Sequence, residues 1–130
     1  MNAVASDDTR EQNQSLWLLT AAPVVWAAHF VASYATAAVW CEKVAGRDGS
    51  LRGARVAIAA YTAVALVAIG AASRVAWGRY RYDHGAAPYD ADTPAGRHRF
   101  LGFAGLLLAA LSAVATLFAA LVAVFIGSCQ

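Results

Sequence analysis

The sequence predicts an all-α membrane protein: three transmembrane helices in a small bundle, with the N-terminus cytoplasmic and the C-terminus periplasmic. Three observations lead there. No Asp, Glu, Lys or Arg occurs between Glu11 and Glu42, from Val56 to Ser73, or from Phe100 to Gln130. A run of about 20 uncharged residues is enough to cross ~30 Å of hydrocarbon as a helix. Hydrophobic residues make up 60% of the chain against 14% charged, and the mean hydropathy of +0.51 lies outside the range of ordinary soluble domains. Trp17 and Trp40 stand near the ends of the first run, about 35 Å apart at 1.5 Å per residue, which suits two membrane–water interfaces.

With 130 residues the chain makes one domain. Residues 1–14 are expected to form a disordered polar lead-in, and residues 15–130 a three-helix transmembrane domain with spans over about 15–40, 54–77 and 98–127. The lead-in carries Asp7, Asp8 and Glu11 against Arg10, whereas a cleavable signal needs a basic start followed at once by a short apolar core. A net charge of +2, spread along the chain, excludes a nucleic-acid partner.

The first helix is expected from Ser15, a plausible cap, to Trp40. Pro23 inside it cannot donate to the Leu19 carbonyl, which predicts a kink in the first two turns. Gly46–Ser50 (GRDGS) reads as a turn. The second helix begins near Gly53, with Arg55 and Arg74 free to snorkel outward and Trp77, Tyr80 and Tyr82 as an aromatic end. Pro88 and Pro94 interrupt the polar stretch that follows, beyond a helical extension to about Tyr82. The third helix opens near Gly96–Phe100. The N-terminus and the second loop then share a side carrying Arg10, Arg74, Arg79, Arg81, Arg97 and Arg99, against Lys43, Arg47, Arg52 and Arg55 opposite. Six against four sets the expected orientation.

Helices in lipid associate through close packing and polar contacts, since the tails are as apolar as leucine. The third helix offers Gly102, Gly105, Ala109, Ser112, Thr116, Ala119 and Ala123 at spacings of three and four. The second offers Ala57, Ala60, Val64, Val67 and Ala71, with Thr62 elsewhere. On the first helix Trp26, His29, Ser33, Thr36 and Trp40 line one face. Polar groups at that depth are costly unless partnered, so this face is expected to point into the bundle or toward another protein.

His29 has two readings. It is either a neutral imidazole bonded to Ser33, Tyr34, Tyr61, Thr116 or a carbonyl, or the ligand of a haem b shared with a partner subunit, since the chain's spans offer no second axial residue. A proton relay lacks an intramembrane carboxylate to continue it. Cys41 and Cys129 end the first and third spans, which emerge on one side; they are either a disulfide or two unrelated thiols. Asp83, His84, Asp90, Asp92 and His98 follow no metal-ligand spacing and read as a solvated loop. The chain contains no nucleophile motif, phosphate-cradling glycine loop or zinc signature, and with no catalytic residues to name it is not expected to be an enzyme.

L-x-x-x-P-x-x-W-x-x-H-F-x-x-S-Y-x-x-x-A-x-W-C over Leu19 to Cys41, and R-F-L-G…L-S-x-x-x-x-x-F-x-A-L…F-x-x-x-C over Arg99 to Cys129, resemble a group of small three-helix bacterial membrane proteins encoded beside haem–copper cytochrome c oxidase genes. The resemblance spans all three helices and includes both cysteines. It implies a non-catalytic accessory or assembly subunit of a respiratory terminal oxidase in the inner membrane, partnered by lipid and by other membrane subunits. The alternative is a haem- or quinone-associated anchor subunit of an electron-transfer complex using His29, as in the similarly sized succinate dehydrogenase anchors, whose quinone-site signature is not visible here. A small transporter would need an intramembrane charge or an inverted repeat, and the chain has neither.

Overall fold

A computed structural model of the chain describes residues 2–46, 49–82, 94–126 and 129, with side chains described within 16–46, 49–81, 96–97, 99–126 and at 129. It consists of helices α1 (Asn2–Trp40), α2 (Arg52–Tyr82) and α3 (Pro94–Phe125), with one π-helical turn, Cys41–Ala45, continuing α1. Each helix packs on the other two. All three are long and apolar enough to cross a membrane, over Leu16–Ala45, Arg52–Arg81 and Arg99–Phe125.

α1 begins at Asn2, ahead of the start expected at Ser15. The polar lead-in contains neither glycine nor proline and includes Ala3, Ala5, Glu11, Gln12 and Gln14, residue types that favour a helix. The helix runs through Pro23 without interruption. Gly46 ends the π turn at φ +63°, a conformation that costs glycine little and other residues more. Pro94 opens α3, where the amide it lacks would have had no partner.

The interior is narrow. Its buried apolar residues are mostly alanine (Ala22, Ala54, Ala65, Ala76 and Ala109), with Leu51, Ile58 and Ile69. Large side chains lie outside: Trp17 is 76% exposed, Phe118 65% and Phe125 83%. A water-soluble bundle does the opposite, burying its leucines and phenylalanines for roughly 1.5–3 kcal/mol each. With so little apolar area inside, cohesion comes from close backbone approach.

α2 corrects the expected packing face. Of the expected residues Ala60, Val64, Val67 and Ala71 are exposed and Ala57 half-buried, while another face, Ala54, Ile58, Ala65, Ile69 and Ala76, is buried. The faces lie roughly 130° apart at 100° per residue and both are small and apolar, so periodicity alone could not choose between them. On α3, Gly102, Ala109, Ser112 and Thr116 are buried, and Gly105, Ala119 and Ala123 half-buried.

Candidate functional site

The polar strip of α1 turns inward. His29 and Ser33 are buried, and Trp26, Thr36 and Trp40 are half-buried. At mid-depth the His29 Nε2 lies 3.0 Å from Thr62 Oγ1 of α2 and 3.4 Å from Ser33 Oγ one turn along α1. Thr62 donates its hydroxyl proton to the Ile58 carbonyl at 2.7 Å. Its oxygen is thereby left to accept, which assigns the proton to His29 Nε2 and leaves Nδ1 an acceptor. His29 Nδ1 is buried without a hydrogen-bond partner.

Thr116 and Ser73 spend their hydroxyl protons on their own helix. Thr116, fully buried, donates to Ser112 O at 2.8 Å, and Ser73 to Ile69 O at 2.9 Å. Such i−4 bonds satisfy a hydroxyl without linking helices. The imidazole therefore does what those hydroxyls do not: it joins α1 to α2. Thr62→Val keeps the shape and removes the acceptor. It is expected to lower unfolding stability in detergent by about 1 kcal/mol, as intramembrane hydrogen bonds generally measure, while Thr62→Ser retains most of it.

The Cys41 end carries more ties. Cys41 and Cys129 stand at disulfide distance, their Cα atoms 5.5 Å apart. The Trp40 indole N–H donates to Ser50 O at 3.2 Å, and its ring lies against Gly53, where any Cβ would collide with it. Arg55 does not simply reach outward as snorkelling predicts. Its Nε donates to Ala123 O at 3.2 Å, and its Nη2 to Val124 O at 2.9 Å and Ile126 O at 2.7 Å. The last carbonyls of a helix have no partner within it, and a cation there also meets the negative end of the helix dipole. The Val122 carbonyl is taken by the Ile126 amide at 3.1 Å, so this amide and Arg55 together partner three of the last four carbonyls of α3.

The opposite end is aromatic. Trp77 and Tyr80 have ring centroids 5.8 Å apart, Tyr80 and Phe103 6.4 Å, and the Arg99 guanidinium sits 5.5 Å from the Tyr80 centroid. Of the loop group, Asp83, His84, Asp90 and Asp92 lie outside the described residues, as does the His98 side chain. Among the described residues no three His, Cys, Asp or Glu gather in a metal-binding arrangement.

Sequence reasoning missed Thr62, naming its neighbour Tyr61 as a partner for His29 instead. The available signal was depth: Thr62 is a hydroxyl mid-span in the second helix, as His29 is a polar residue mid-span in the first. Arg55 had no comparable signal, because its bonds depend on where the distant end of α3 stops. No protein-family model matches the chain, and no curated protein or solved structure matches it either.

Proposed function

We propose that this chain is a three-span protein of the bacterial inner membrane, serving as a non-catalytic accessory or assembly subunit of a respiratory terminal oxidase of the cytochrome c oxidase type. The observation that carries the subunit reading is the stripe Ala60, Val64, Val67 and Ala71, which the chain leaves uncovered along α2. Small side chains at three- and four-residue spacing are what a neighbouring transmembrane helix packs against. The His29 face is spent inside the bundle, so docking falls to this outer stripe. The oxidase itself rests on the resemblance of Leu19–Cys41 and Arg99–Cys129 to oxidase-linked proteins.

Two arguments orient the chain, the six-to-four excess of basic residues and the cysteine pair. Cys41 and Cys129 share one end, and a disulfide persists in the periplasm but not in the reducing cytoplasm. Both favour a cytoplasmic N-terminus. In native membranes, affinity purification of the tagged chain is expected to recover oxidase subunits, and Val64→Trp, bulky and outward, to abolish that recovery. Retrieving no oxidase component under detergents that keep oxidases intact would sink the proposal.

The haem-ligand alternative has the unpartnered Nδ1 in its favour. Against it, the ring is only 4% exposed and its Nε2 is engaged, so a partner's haem would have to part α1 from α2. An optical b-type band that disappears in His29→Ala would revive it.

A further inference from the structure

An open groove of about 320 Å³ runs between α2 and α3, walled by Ala59, Ala63 and Leu66 on one side and Ala120 and Ala123 on the other, with Arg55 at its mouth. Thr62 also borders it, but its hydroxyl is spent on Ile58 O and His29, so the floor makes no polar demand. We propose that this groove holds one acyl chain of an anionic phospholipid, with the headgroup phosphate bound by Arg55.

The dimensions select the occupant. Arg55 to Leu66 covers about 16 Å of helix, close to half of a ~30 Å hydrocarbon core, which is the depth of one leaflet. The α3 wall is shorter, Ala120 to Val124, and the volume leaves room for a slender chain whose carbons keep neighbours ~4 Å away. A helix, at least ~10 Å across with its side chains, does not fit. A quinone ring would need a donor or acceptor within the groove, and the walls offer none beyond the mouth.

The charge selects the headgroup. Arg55 has five N–H donors, and its bonds to α3 use Nε and Nη2. The Nη1 edge keeps two donors on an exposed side chain, and the first turn of α2 contains no acid. Each of these N–H groups can donate singly to a phosphate oxygen, a charge-assisted bond stronger than a neutral one.

This inference rests on the chain being membrane-embedded and not on the oxidase. Native mass spectrometry of the detergent-purified protein, with phosphatidylglycerol or phosphatidylcholine added, tests it. One phosphatidylglycerol should be retained with a preference of about tenfold, the ratio that one charged contact confers. Ala63→Phe and Ala120→Phe, which fill the groove and leave Arg55 in place, should each lose the adduct; Arg55→Gln should lose the preference. Equal retention of both lipids by the unaltered protein, a retained isoprenoid quinone, a second protein chain in the groove, or adducts surviving both Phe variants overturn the site. Release of the protein from membranes without detergent would overturn the embedded reading as well, which separates the two failures.

Discussion

Proteolysis of the native protein without reductant is expected to yield Cys41 and Cys129 on one linked peptide pair, and Cys129→Ser to lower stability more than any other single change. The bond closes a loop of 88 residues, for which chain entropy sets an upper value of about 4.6 kcal/mol. Two facts place the measured effect below that. Helices inserted in lipid stay helical when they separate, because a bare backbone in hydrocarbon costs several kcal/mol per unpaired group. The tether therefore restrains rods rather than free chain. The same end is also held by Arg55 on the α3 carbonyls and by Trp40 on Ser50, contacts that survive reduction. A loss of about 2–4 kcal/mol follows, read as a shifted midpoint in SDS titration. Free, alkylatable thiols at both positions in native membranes would exclude the bond and remove one of the two arguments for orientation.

The three helices long and apolar enough to cross a membrane were legible because the sequence withdraws charge, the costliest thing to place in hydrocarbon, over three runs of sufficient length. Topology set the two cysteines at one end of a three-helix chain but left a disulfide and two separate thiols both open; the structure places their Cα atoms 5.5 Å apart. Rotation of the helices was harder to read. On α1 His29 and Ser33 marked a face that avoids lipid, turned into the bundle or toward another protein, and the structure turns it into the bundle. α2 has alanine and valine on both sides, and nothing in a pattern of small apolar residues says which side meets a neighbour. Its inner face is distinguished by Ile58, Thr62 and Ile69, of which Thr62 alone carries chemistry. The start of α1 was misplaced for another reason. Polarity was taken as lack of structure, although Asn2–Gln14 contains no helix breaker and adjoins a helix already nucleated.

Gly102 and Gly105 looked equivalent in sequence, and identical substitutions at the two are expected to separate them. A Cβ on Gly102 would stand 3.0 Å from the Tyr80 amide nitrogen, 3.1 Å from the Ala76 carbonyl oxygen and 3.3 Å from Tyr80 Cα. All three are backbone atoms of a rigid helix, so relief requires α2 and α3 to move apart. That motion strips dispersion contacts along the whole crossing and disturbs the Tyr80–Phe103 pair beside it. Gly102→Ala should therefore cost about 1–3 kcal/mol, as overpacking of a tight interior does. At Gly105 the nearest atoms would be Ala76 Cβ at 3.4 Å and Leu19 Cδ1 at 3.9 Å, ordinary contact distances, and Gly105→Ala should stay within about 0.5 kcal/mol of the native protein. Trp77, 5.8 Å from Tyr80, reports the separation through its fluorescence as the bundle is titrated with SDS. Equal midpoints for the two variants would mean that α2 and α3 do not approach this closely at Gly102.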